Sequence, residues 1–408
     1  MNGDHRMIRQ PSRRSALGLM GAIPVAGALP AALTSRGRTP RELAPGGEYD
    51  EYIAALAAKD EFSGTILLAH RGETVLARAY GMADKARSIP NRVGTIFNLA
   101  SASKPFTALA IMQLVARDKV KLHETLGTYL DGFPPESAGH VTVHQMLTHT
   151  CGLGDFQLDQ EYQDNAETWT TEATTMDGIM AAVRRTPPKY TPGTRYEYSS
   201  SGIAVLGAIV ARVSGQSYYD YVREHIFTPA GMTRTDFFDK PRWEKDARFA
   251  HPYWHDQAGR PIDGLHRPPP PLPSGHRGFA PYIGNPGGGG FSTAGDLVRL
   301  DRALRRGRLL DAAYTELFMT LKHPTPPASP SVQVTGSAYG LIATMYDHRW
   351  LAGHGGSMVA GGTTNWTIYR DLHWTGVILT NYSKTDIRSI MNRERSFVTR
   401  YATRPSRE

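Results

Sequence analysis

Cysteine is almost missing from this chain. Cys151 is the only one in 408 residues, so no internal disulfide can form. Nothing beside it suggests thiolate activation, and the expected role is a small buried residue rather than a nucleophile. Long apolar runs are missing too. The weakly apolar stretch over residues 16–33 contains Pro24 and Pro30, which argue against a membrane-spanning helix. There is no internal repeat. The formal net charge is +8, but the excess is not distributed as a nucleic acid would require. Arg6, Arg9, Arg13 and Arg14 lie near one end, and Arg388, Arg393, Arg395, Arg400, Arg404 and Arg407 near the other. The body between is close to neutral and lacks a basic stripe that would track a phosphate backbone, so no nucleic-acid partner is expected.

The remaining composition, 40% hydrophobic and 21% charged, is that of a globular protein with one large domain or two. Ser12-Arg13-Arg14-Ser15-Ala16-Leu17 precedes the weakly apolar stretch, and Ala26-Gly27-Ala28 offers small residues for cleavage. This resembles a bacterial twin-arginine export signal. Residues 1–35 are therefore assigned to a signal and linker, with the folded product exported to the periplasm or outside the cell.

Periodicity predicts an amphipathic helix over residues 48–62, then a hairpin over 63–80. A helix beginning near Ser101 to Ser103 is apolar nearly all round and should be buried. Further helices are expected over 141–150, 202–214, 218–227 and 293–309, and residues 241–290 are loop-rich. Alternation returns over 339–346, 363–370 and 374–381, and a helix closes the chain over 385–401. Strands thus open and close the mature chain with helices between. The expected fold is α/β (α+β): an antiparallel sheet from the two ends, flanked by helices, with an inserted mainly helical domain. One domain over 45–405 divides into a sheet part (45–95 and 335–405) and a helical part (96–334), with a site in the cleft between them.

Three segments carry chemistry. In Asn98-Leu-Ala-Ser101-Ala-Ser103-Lys104-Pro105, Ser101 and Lys104 are three apart and would share one helix face. An amine there can take the proton of a hydroxyl that is otherwise a poor nucleophile. Pro105 suits a first helical turn, whose free N–H groups favour developing negative charge. In Tyr196-Glu-Tyr198-Ser-Ser200, a phenol beside an ammonium would ionise more readily, and Lys104 is the expected neighbour. In Gly353-His354-Gly355-Gly356-Ser357, glycines beside a strand admit close backbone approach, and the N–H groups near Gly356 and Ser357 are candidate oxyanion donors. His251 and His255, four apart, lack helix context and a third ligand at motif spacing, so no metal and no cofactor are expected.

Together these segments resemble the penicillin-recognising serine hydrolases: class C β-lactamases, serine D-Ala-D-Ala carboxypeptidases and their esterase relatives. The resemblance spans residues 62–381 and includes Met146-Leu-Thr-His149, Pro192-Gly193-Thr194 and Gly289-Gly-Phe-Ser-Thr293. It implies that Ser101 is acylated, Lys104 is its proton partner and Tyr198 is the general base. The N–H groups of Ser101 and Ser357 would hold the oxyanion, and Ser200, His354, Gly355 and Gly356 would line the substrate. Two positions depart from the family pattern: Ser200 stands where asparagine is usual, and His354 where many relatives carry lysine. Both weaken the case for a β-lactamase. The expected function is an exported serine hydrolase acting through an acyl-enzyme on a small ester or amide, with carboxylesterase placed first. A D-Ala-D-Ala or D-amino-acid-specific peptidase and a β-lactamase follow. A non-catalytic penicillin- or cell-wall-peptide-binding protein is the rival of another class.

Overall fold

The structure, a computed structural model, describes residues 39–327 and 330–403; the export signal assigned to residues 1–35 lies outside them. Eight strands form one sheet: β1 (Gly64–His70), β2 (Glu73–Tyr80), β3 (His323–Thr325), β4 (Val332–Ser337), β5 (Ile342–Tyr346), β6 (Arg349–Ser357), β7 (Thr363–Tyr369) and β8 (Trp374–Thr380). Their order in space is β2-β1-β8-β7-β6-β5-β4-β3, and every neighbouring pair is antiparallel. β1 pairs with β8 from Gly64↔Thr380 to His70↔Trp374, so the two ends of the chain meet inside the sheet. This is the α+β arrangement expected from the strand pattern.

Seven helices matter for the site: α1 (Glu48–Ala58), α2 (Lys104–Ala116), α3 (Val143–Leu147), α4 (Glu172–Arg185), α5 (Ser200–Ser214), α6 (Ala294–Arg305) and α7 (Ile387–Thr403). α1 and α7 cover one sheet face over a core that includes Tyr49, Ile53, Ile66, Tyr369, Trp374 and Ile378. The opposite face packs on the inserted helices. There α2 is buried from Lys104 through Leu114, as an all-apolar helix must be. Local chemistry sets the helix ends. Thr142 caps α3 in a reciprocal box with Gln145. Ser199 caps α5 by accepting from Gly202 N at 3.0 Å, and Gly215 ends it at φ 75°.

Three local expectations are corrected. The stretch 218–227 is not one α-helix, because Tyr218–Val222 widens into a π-helical turn, Arg223–Phe227. The segment 241–290 is not structureless: it holds a hairpin, Tyr253–His255 with Pro261–Asp263. Gly353 to Ser357, expected beside a strand, are part of it: they continue β6, each residue pairing with β7 from Gly353↔Thr367 to Ser357↔Thr363. The sheet also takes in β3 and β4 from a stretch without clear alternation.

Candidate active site

Ser101 lies in a 3-10 turn, Ala100–Ser103, at the mouth of α2, with Pro105 in the first turn. The residue before it, Ala100, has φ 48°, a conformation that costs energy for any side chain with a Cβ. Its surroundings hold it there. Ala100 N donates to Asn98 Oδ1 at 2.8 Å, and Ala100 O accepts from Gly289 N at 3.0 Å and Ser103 Oγ at 2.8 Å. β7 clamps the same turn, with Thr364 Oγ1 donating to Leu99 O at 2.9 Å and Trp366 Nε1 to Ala102 O at 3.0 Å.

Lys104 is fully buried. Its Nζ donates to Ser101 Oγ at 3.0 Å and Ser200 Oγ at 3.2 Å, and also to Gly287 O. Among the described residues no carboxylate forms an ion pair with it. Burial therefore pushes its pKa from the ordinary 10.5 to about 7, with Asp155 pulling weakly upward. Tyr198 places its ring centroid 4.8 Å from Lys104 Nζ. Its residue surface is 41% open, but the phenol end turns inward and shares a hydrogen bond with Ser101. Burial of that end raises its pKa, outweighing the lowering effect of the hydrogen bond. The expected phenolate is thus corrected: Lys104 is the group poised near neutrality, and Tyr198 keeps its proton.

Ser101, Lys104, Tyr198 and Ser200 converge, and Ser357 lines the same cleft as Ser101. Gly356 reaches the site for a different reason than expected. A Cβ there would stand 2.0 Å from Leu99 O and 2.9 Å from Ala102 N, so it is the nucleophile turn, not a substrate, that needs this glycine. Gly355 is exposed beside it. His354 is buried inside β6, 5% exposed, with its ring 6.2 Å from that of Tyr198. Its Nδ1 donates to Gly355 O at 2.5 Å, which leaves Nε2 as a lone-pair atom. Burial, then the Lys104 charge, lower its pKa to about 4, so it is neutral at pH 7.

Two segments of the family resemblance that were given no site role also contribute. His149, at φ 58°, accepts Ser199 N at its Nδ1 (3.2 Å) and packs its ring 4.5 Å from Tyr198. Burial, then Lys104 and His354, push its pKa to about 3, so it stays neutral and fixes the Tyr198 segment. The glycines at 287–290 supply the Lys104 acceptor and also bond the nucleophile turn, Leu99 N donating to Gly290 O at 2.7 Å. Their only signal in the sequence was their place in the family resemblance. Cys151 is buried with its thiol pKa raised by burial. Away from the cleft, His251, Asp263 and His266 bring possible ligand atoms within 4.8 Å of one another. Asp263 accepts from His251 at 2.8 Å, and the carboxylate of Asp84 lies 3.7 Å from the other ring nitrogen, so a hydrogen-bonded polar network accounts for the cluster. His255 points elsewhere, its Nδ1 3.4 Å from Ser383 Oγ.

Beside Ser101 a cleft of about 310 Å³ is walled by Phe156, Tyr162, Phe238, Trp243, Phe279 and Phe291. Its cation, Arg277, is paired with Asp164 at 3.1 Å, and His276 Nε2 lies 3.0 Å from Asp155. A buried amine on a serine hydroxyl, next to an apolar cleft, is equipped for acyl transfer.

Comparison with known proteins agrees. Esterase EstB of Burkholderia gladioli is 30% identical over 365 residues, which cover 80% of this chain and 88% of that protein. A penicillin binding protein from Bacillus halodurans superimposes with a TM-score of 0.69 at 26% identity, over 85% of this chain and 98% of that one. The D-amino acid amidase from Ochrobactrum anthropi SV3 shares the fold, with a TM-score of 0.67 at 23% identity over 87% and 100% of the two chains. The Beta-lactamase family model matches residues 50–399, and the chain belongs to that family as a serine hydrolase.

Proposed function

We propose that this serine hydrolase is a carboxylesterase, forming its acyl-enzyme at Ser101 and preferring uncharged esters with an apolar group in the aromatic cleft. The observation that carries this is the charge state around the nucleophile. The cation of the aromatic cleft, Arg277, is paired and His354 is neutral, so no free charge in that cleft is suited to hold a substrate carboxylate. A β-lactam or a peptide C-terminus would bring one. The similarity to a protein named as an esterase points the same way.

In this mechanism neutral Lys104 takes the Ser101 proton as Oγ bonds to the acyl carbon. The N–H groups of Ser101 and Ser357 receive the oxyanion, each such donor being worth about 10²–10³ in rate. Collapse breaks the bond to the leaving oxygen, which takes a proton relayed from Lys104 through the Tyr198 hydroxyl. Water then enters, loses a proton to the same relay, and attacks the acyl carbon. Breaking the acyl–Oγ bond frees the acid and returns the proton to Ser101.

The test is side-by-side turnover of a p-nitrophenyl butyrate ester, a chromogenic cephalosporin and a D-Ala-D-Ala peptide. Highest kcat/KM on the ester supports the proposal. Higher kcat/KM on either other substrate replaces it, and labelling of Ser101 without turnover of any substrate would favour a binding protein. Export belongs to the same proposal. A reporter fused behind residues 1–35 should leave the cytoplasm, and should stay when Arg13 and Arg14 are both replaced by lysine.

A further inference from the structure

The sheet face beneath α7 changes character along its length. Tyr369, Trp374 and Ile378 give it an apolar floor under one part of the helix. Farther along β6 and β7 the same face presents Thr363, Asn365 and Thr367 opposite Gly353, Gly355 and Ser357. The pairing Leu351↔Tyr369 in the apolar part, two residues from Gly353↔Thr367, fixes this register. A helix normally buries an apolar stripe on an apolar sheet face. Here the two surfaces stay apart around a cavity of about 540 Å³, roofed by Ile387, Arg388, Met391 and Arg395 of α7. β5 starts at Ile342, opposite Gly353, so β6 has a free edge from His354 onward, and the cavity continues round it to Ser101 and Tyr198.

Asn365 Nδ2 donates to Thr367 Oγ1 at 3.0 Å, but other polar atoms of this rear arm find no such partner. Arg395 Nε and Thr363 Oγ1 are buried and have no hydrogen-bond partner among the described residues. A buried donor without an acceptor is costly, most of all on a charged group. The next arginine along, Arg393, pairs with Glu48 at 2.7 Å. The neighbouring acid, Glu394, takes its hydrogen bonds from Tyr49 and Tyr369 instead, so the Arg395 charge acts on it only at longer range. Arg388 stands seven residues before Arg395, two helical turns away on the same face.

We propose that this rear cavity is a second binding site, for a small oxyanion of the carboxylate or phosphate class. Arg395 and Arg388 supply the charge, and the Thr363 hydroxyl a further polar contact. The site lies behind the strand that carries His354, and it needs no chemistry at Ser101.

Isothermal titration of the full chain with succinate and with inorganic phosphate, at constant ionic strength in chloride, tests this. The same titrations on Ser101→Ala separate it from the hydrolase proposal, since binding should persist there. The expected result is saturable one-site binding of at least one anion, with the stronger of the two identifying the ligand class. Arg395→Gln should weaken it by about tenfold or more, as loss of a charged hydrogen bond does. Arg388→Gln, at an exposed position, and Thr363→Val should each weaken it less, and they decide the matter if Arg395→Gln does not fold. No saturable binding of either anion, or affinity unchanged in the folded variants, overturns the proposal.

Discussion

Lys104 has lost its water and gained only neutral partners, and this sets the chemistry of the cleft. With its pKa near 7, kcat/KM should rise with pH through about 7 and then level, because only the free amine accepts the Ser101 proton. A pH–rate profile checks this. Ser101→Ala should lower kcat by about 10⁶, the usual loss when a nucleophile acts as a unit with its base. Tyr198→Phe should keep the fold and lose about 10²–10⁴, the value of a positioned proton-transfer group. The lysine also costs stability. Its folded pKa is below the unfolded value of 10.5, so the unfolded chain binds the extra proton between about pH 7 and 10.5 and the fold gains stability over that rise. Lys104→Met should therefore raise Tm at neutral pH while abolishing turnover, as calorimetry and an ester assay would show together.

Among the elements, β6 and the nucleophile turn depend on one close contact. Gly356 lets the strand lie against Leu99 and Ala102. Gly356→Ala should push them apart, costing about 1–3 kcal/mol by the usual measure of overpacking and most of the activity, because Ser101 and Ser357 would separate. Denaturant unfolding and ester turnover measure the two effects. Much of the local structure was legible: the start of a buried helix near Ser101 to Ser103, the Thr142 cap and the Gly215 stop follow from adjacent residues. The glycine-rich third segment was not. Five residues with three glycines carry the signature of a turn, and only pairing with a distant strand, β7, makes them extended. The same pairing buries His354, which as a turn residue would have been exposed and free to protonate.

For the whole molecule, the closing helix is tied through Glu394 to the opening helix α1 and to β7 of the sheet. Tyr369 OH donates to Glu394 Oε1 at 2.8 Å and Tyr49 OH to Oε2 at 3.2 Å. Gly376 leaves the space, since a Cβ there would stand 1.9 Å from Oε1. Burial raises the carboxyl pKa to about 7 against those hydrogen bonds. The neutral acid is thus the form the fold prefers. Its contribution is complete below the unfolded value of 4.5 and is lost as pH rises through about 7. Glu394→Gln should flatten the decline in Tm between about pH 5 and pH 8, as a series of melting curves would show.

What the sequence determined by itself was the set of reacting groups and the order of elements that carries them. A serine and a lysine one turn apart share a helix face wherever that helix goes, and alternation marks strands at both chain ends. Tertiary structure alone decided their charge states. Whether Lys104 is free amine, Tyr198 phenol and His354 neutral depends on water excluded by β6, β7 and the 287–290 loop. Those segments lie far along the chain, and desolvation is a property of the assembled cleft rather than of any residue's neighbours in sequence.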